Sequence, residues 1–193
     1  VGSQPFGGEG LSGTGPKAGG PLYLSRFSQN PQALGADQWQ APSAAIHLQQ
    51  KIDEVAAAVA ERKVDTMIMP GPTGESNQLT FTPRPPILCA GPGEQVAKQQ
   101  AQAIEKLGGI AVCADGQITA EQLITLSGIS GVIWWGEAEE ARHYEQALAK
   151  RTGAIVPLIT GQPDKAHACS ERHICVDTTA TGGNAALLAG GHE

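Results

Sequence analysis

The chain has 193 residues, with 13 Lys and Arg against 19 Asp and Glu and a formal net charge of -6. That length suits one ordinary α/β domain plus a short appendage, and the acidic balance excludes an electrostatic nucleic-acid binder, which needs a basic face. No apolar run reaches the roughly 18 residues of a transmembrane helix, and no basic-then-apolar leader of a signal peptide opens the chain.

Apolar residues make up 40% but aromatic residues only 4%, so a core must be built from Ala, Val, Ile and Leu. The chain opens on Val1 rather than Met, which reads as a piece of a longer polypeptide or a trimmed product. Cys89, Cys113, Cys169 and Cys175 form no CxxC pair. Without an export signal they are expected to be reduced thiols.

Four blocks follow one another. Residues 1–27 are Gly-rich and then apolar; with no complete amphipathic element they cannot fold alone and read as a loop packed on something else. Residues 28–41, with Pro31 and Gly35, have a linker composition. Residues 42–161 form the domain proper. Ser43 is placed to cap a helix reaching about Lys63, with Leu48, Ile52, Val55 and Val59 as its apolar stripe. A short apolar stretch at 64–69 leads into a turn-rich segment at 71–77, and residues 79–82 suit a short strand.

From there strands and helices alternate. Residues 87–90 suit a strand, and 94–107 a helix stopped by Gly108 and Gly109. Residues 110–113 suit a strand, and Thr119 with Gln122 a capping box opening a helix to about Leu126. Residues 131–135 suit a strand, 137–151 a helix with acids first and bases last, and 154–159 a fourth strand. This alternation predicts an α/β fold: a Rossmann-like, mostly parallel sheet with helices on both faces. Residues 162–193 form a tail, with a strand at 172–176, a turn-like run from Asp177 to Asn184 and an apolar patch at 185–189. Its apolar content predicts that it docks.

The candidate chemistry is thin. Gly91-Pro92-Gly93 lies between a strand and a helix, where a dinucleotide fingerprint needs Gly-x-Gly-x-x-Gly. Val96 stands at the third position, and Asp115 is the only acid near the ribose spacing, so a plain turn is the preferred reading. His167, Cys169, His173 and Cys175 carry zinc-ligand chemistry, but one-residue gaps miss the usual two to four, and a buried thiol beside exposed histidines is preferred. Cys89 and Cys113 fall in strands expected to be central, with no base placed to activate them. Trp134 and Trp135 must point to opposite sheet faces, one under a helix and the other in the core or at a domain contact. The run from Gly71 to Asn77 could cradle an anion but lacks a Lys and a helix start; a rigid turn at a domain contact is preferred. No nucleophile and base pair emerges, and no metal set is assigned.

The ends of the chain add a resemblance. The opening run, Pro5-Phe6-Gly7-Gly8 followed by Ser12-Gly13-Thr14-Gly15-Pro16-Lys17-Ala18-Gly19-Gly20-Pro21, resembles the C-terminal end of the aldehyde dehydrogenase superfamily. In its longer form it looks like the semialdehyde dehydrogenase module of the proline utilization A family of bifunctional enzymes. The run from Glu171 to Ala185 is similar to the C-terminal motif of the longer members, with Thr181 where Ala is usual. Residues 41–161 look like their extra C-terminal domain, a dinucleotide-binding fold that does not serve as the cofactor site.

The resemblance implies that residues 1–27 complete an aldehyde dehydrogenase domain, 28–41 link, 42–161 form a Rossmann-like accessory domain and 162–193 a docked tail. It implies a parent that oxidises proline with FAD and glutamate semialdehyde with NAD, both cofactors and all catalytic residues lying upstream. Phe6 is the one substrate-pocket residue it carries over, and Asp177, Thr178, Thr179, Gly182, Gly183 and Asn184 are the expected interdomain or lid contacts. The expected partners are the upstream aldehyde and proline dehydrogenase domains, with a homo-oligomer left open and no nucleic acid. The expected location is cytoplasmic, the parent being able to sit peripherally on the inner membrane. The competing reading is an independent nucleotide or small-molecule sensor module, motivated by the turns at Gly91 and Gly71.

Overall fold

The computed structural model describes residues 4–28, 32–57 and 65–177. Two sheets organise them. A four-stranded parallel sheet carries β3 (Ile87–Cys89), β4 (Ala111–Cys113), β5 (Gly131–Ile133) and β6 (Leu158–Ile159) in the order β4-β3-β5-β6. Helices α2 (Gly93–Lys106), α3 (Ala120–Thr125) and α4 (Ala138–Leu148) connect them in turn. The first connection moves to one side of β3 and the next crosses to the other, which creates a topological switch beside β3.

Side chains alternate across this sheet with the two-residue period of a strand. Leu88, Val112 and Val132 face a core with Leu48 and Ile52 from α1 (Ala45–Ala57), Leu123 from α3 and Tyr144 from α4. Ile87, Cys89 and Ile133 face the opposite core, filled by Val96, Ala97, Ala101 and Ile104 of α2. Helices therefore cover both faces, as the alternation predicts. The capping box at Thr119 is formed as expected, its hydroxyl accepting from Gln122 N–H and the Gln122 side chain accepting from Thr119 N–H.

The second sheet is antiparallel, with β1 (Asp65–Met69), β2 (Glu75–Pro83) and β7 (Cys169–Asp177) in that order. It departs from the local reading in two ways. Glu75 to Asn77 belong to β2 rather than to the turn, because β7 pairs with β2 along its whole length, from Glu75 opposite Asp177 to Pro83 opposite Cys169. The tail strand is longer than its apolar run and follows a short helix, α5 (Lys165–Ala168), that no sequence signal had suggested. Leu79 and Phe81 on β2 pack with Ala168 and Cys169 and close the joint between the sheets.

Three local expectations are corrected. Helix α1 begins at Ala45, and Ser43 donates its hydroxyl to Asp115 at 2.5 Å instead of capping. Strand β6 holds only Leu158 and Ile159, because Ile155 N–H is given to Gly10 O at 2.7 Å. Cys113 lies on an edge strand of the parallel sheet and is half-buried, not central. Residues 58–63 of the first helix lie outside the described residues. Among the described residues no helix is long and apolar enough to cross a membrane.

Candidate functional site

Two places could carry function: the switch crevice at the C-terminal ends of β3 and β5, and the Gly-rich loop at residues 4–20.

Ligands of open α/β sheets bind in the switch crevice, with anions at the following helix N-terminus. Here the chain's own residues 34–40 fill it. Gly35 N–H donates to Trp135 O at 2.8 Å, and Trp39 Nε1–H donates to Ala90 O at 2.8 Å. Asp37 Oδ2 accepts from Gln95 N–H in the first turn of α2 at 2.9 Å. A carboxylate of the protein thus stands where a bound phosphate would be held. The apparent linker is a strap across the sheet, with Trp39 packed between the two cores. Asp115 is engaged by Ser43 and by Lys51 at 3.4 Å, away from any ribose role. With Val96 at the third fingerprint position and Asp37 in the phosphate place, these residues do not fit a dinucleotide.

The turn below the strap is closed by Gln100, which is 0% exposed. Its side chain accepts from Gly91 N–H at 3.0 Å and donates to Gly91 O at 2.7 Å. Trp135 N–H also reaches Gly91 O, so a Gln100→Ala change orphans chiefly the Gly91 N–H and leaves a cavity. The expected loss is about 2–4 kcal/mol. Urea unfolding should show a lower midpoint at unchanged slope, whereas an unchanged midpoint would mean that water replaces the amide.

The other candidates have local structural uses. His167 completes a capping box with Asp164, its Nδ1 lying 2.8 Å from Asp164 Oδ1. Burial works against that carboxylate, but the hydrogen bonds from His167 and Ser25 hold it well below the usual range. His173 Nε2 lies 3.0 Å from Asn77 Oδ1, Cys169 Sγ faces Leu107 O, and exposed Cys175 Sγ meets Gln4 Nε2. The four zinc candidates do not converge, and among the described residues no group of three or more His, Cys, Asp or Glu could hold a metal. Asn77 is buried and its Nδ2 donates to Glu75 Oε1, so the run at 71–77 closes on itself. Cys89 and Cys113 lie opposite each other in neighbouring strands, their thiols donating to Ile87 O and Ala97 O, and the neighbouring Cys113 together with burial pushes the Cys89 thiol up. Both tryptophans are buried, Trp134 edge-on to Tyr144 at 5.2 Å and Trp135 donating to Gly161 O at 3.0 Å. Neither is left at an open contact surface.

The Gly-rich loop has a different character. Phe6 and Ala18 exchange both backbone hydrogen bonds, at 3.1 and 2.8 Å, and Glu9 bridges to Thr14. The loop's backbone is anchored from the body: Arg84 Nη2 donates to Thr14 O at 2.9 Å and pairs with Glu9 at 3.3 Å. Lys17 N–H donates to Glu171 Oε2 at 2.7 Å. Phe6 remains 73% exposed, and Leu11, Leu24 and Phe27 are exposed to at least the same extent. A backbone held this firmly under exposed apolar side chains suits a surface presented to another body. Of the expected lid residues, Asp177 ends β7 opposite Glu75, while Thr178, Thr179, Gly182, Gly183 and Asn184 lie outside the described residues. Sequence reasoning did not find Arg84, Asp37 or Gln100, and it named Glu171 only as the first residue of the tail motif, without a role.

No protein-family model matches the chain. It is similar to the bifunctional protein PutA of Salmonella typhimurium, at 32% identity, covering 97% of this chain and 18% of that protein. It is also similar to the bifunctional protein PutA of Klebsiella aerogenes, at 34% identity over 206 residues, covering 82% of this chain and 15% of that protein. The solved structure of proline utilization A from Corynebacterium freiburgense matches with a TM-score of 0.45 and 20% identity, covering 92% of this chain and 19% of that one. The chain therefore spans less than a fifth of the length of these relatives.

Proposed function

We propose, for a chain that belongs to the PutA family, that it is the C-terminal part of a bifunctional enzyme converting proline to glutamate. In this reading the loop at residues 4–20 completes the aldehyde pocket of a semialdehyde dehydrogenase domain, and Phe6 forms part of the pocket wall. An aromatic wall there excludes water while the aldehyde is oxidised and fixes the substrate chain. The α/β body supports that loop. The tail beyond β7, with Asp177, Thr178, Thr179, Gly182, Gly183 and Asn184, covers the space through which the intermediate travels. NAD and FAD serve the parent in its upstream domains, which are the partners of this section, and the parent is cytoplasmic.

One observation carries the reading. The body grips the loop's backbone through Arg84 and Glu171 while Phe6 stays exposed. The sensor alternative loses its motive at Gly91, because the strap occupies that crevice.

A Phe6→Ala change in the parent polypeptide is expected to raise KM for glutamate semialdehyde roughly tenfold, with a smaller change in kcat. Initial rates against aldehyde concentration measure this. Identical KM and kcat would remove Phe6 from the pocket.

A further inference from the structure

We propose that Arg84 and Glu171 are positioning residues for the aldehyde pocket, clasping the Gly-rich loop from the accessory body so that Phe6 is held in place. This inference rests on the pocket role of the loop proposed above and adds which side chains impose it.

The clasp has two arms. Arg84 stands between β2 and β3, its side chain 12% exposed. Its Nε donates to Ala166 O and Cys169 O, both at 3.1 Å, which fixes the guanidinium to the α5–β7 junction. Its Nη2 then faces the loop and meets Thr14 O and the Glu9 carboxylate. One planar cation with its donors in a rigid fork thus joins two segments far apart in sequence.

Glu171 is the second arm. It points from β7 and is only 4% exposed. Its Oε2 accepts from Lys17 N–H, and the next residue, Ala18, exchanges both backbone bonds with Phe6. The path from the body to Phe6 is therefore one side-chain hydrogen bond and one two-bond backbone bridge. Oε1 is buried without a hydrogen-bond partner among the described residues. Gly20 packs against it, since a Cβ there would come within 3.1 Å. Keeping a carboxylate buried with one oxygen unpartnered is unfavourable for stability alone. Burial accordingly pushes its carboxyl up, and the charges around it are Glu9, Lys17 and Arg84. The group is best accounted for by the bond it makes to the loop.

The test has two parts, using Glu171→Ala and Glu171→Gln. In the 193-residue chain, hydrogen exchange of the Lys17, Ala18 and Phe6 amides should speed up about tenfold in Glu171→Ala. The core strands β3 and β5 should be unaffected. Glu171→Gln keeps a carbonyl oxygen for Lys17 N–H and should exchange like the native chain. In the parent, Glu171→Ala should raise the aldehyde KM several-fold, Glu171→Gln should restore it, and proline oxidation should be unchanged in both. Arg84→Lys, which loses the fork but keeps the charge, should act in the same direction as Glu171→Ala. Unchanged exchange in Glu171→Ala would overturn the clasp while leaving the pocket role of the loop intact. Faster exchange with an unchanged KM, in an enzyme where Phe6→Ala does raise KM, would overturn its part in positioning Phe6. Silence of Phe6→Ala would sink the pocket reading itself.

Discussion

Removal of residues 42–193 from the parent polypeptide is expected to lower aldehyde oxidation about 100-fold while proline oxidation continues. The reason lies in where the loop's constraints originate. Its own bonds are the Phe6–Ala18 and Glu9–Thr14 bridges, the turn bond from Gly10 N–H to Gly13 O and the Lys17 Nζ bond to Gly7 O, and Arg26 reaches Gly15 O from the retained part. Its anchors on the body are Arg84, Ile155, Glu171 and Cys175, all within the deleted part. A Gly-rich loop stripped of those anchors regains conformational freedom that substrate binding must then remove. Displacement of a substrate-positioning group by about 1 Å is enough for a loss of this size. Continued proline oxidation controls for the fold of the truncated enzyme. Trapping the aldehyde in solution would show whether the covering role is also lost. Unchanged coupled turnover with no trapped aldehyde would rule out a supporting role for this section.

Gly93→Ala is expected to cost about 3 kcal/mol and to detach the strap. Gly93 has φ +73, a left-handed conformation that disfavours any Cβ. An added Cβ would overlap the Asp37 carboxyl group. The carboxylate would be driven from Gln95 N–H, leaving the first turn of α2 without that acceptor. Trp39 and its bond to Ala90 O lie two residues further along the same strap. Chemical denaturation read by tryptophan fluorescence measures the loss. In an Asp37→Gly background the steric part should vanish, so the Ala substitution should cost about 1 kcal/mol, the backbone part alone. An equal cost in both backgrounds would mean that Gly93 does not serve the strap. The glycine that resembled a dinucleotide fingerprint thus makes room for a side chain of the same protein.

The legible parts of the fold were those written in local pattern. Leu88, Val112 and Val132 sit in short apolar runs bounded by turn residues, and Thr119 with Gln122 is a complete capping box. The four-residue spacing from Leu48 to Ile52 placed both on one face of α1. The illegible parts depended on partners far away. Glu75 to Asn77 look like a turn, with polar side chains after two prolines and two glycines, and become strand because β7 supplies a pairing edge about 100 residues later, with Asn77 also paired to Met69 of β1. The strap reads as linker because its few apolar residues show no period. Its order comes from Trp39, Gly35 and Asp37 each finding a separate acceptor or donor on the sheet's rim.

The same division holds for function. By itself the sequence determined the alternating α/β body, the acidic surface balance and the motif content of both ends. Each of these is a property of composition or of neighbours within a few turns of chain. Only the tertiary structure decided that the switch crevice is filled from within, that β1 and β2 form a separate antiparallel sheet in which β2 pairs with the tail strand β7, and that Arg84 and Glu171 reach the loop carrying Phe6. Lys17 and Glu171 are 154 residues apart. A hydrogen bond at that separation leaves no periodic trace in a single sequence, because it depends on which buried donor the completed fold brings opposite which acceptor.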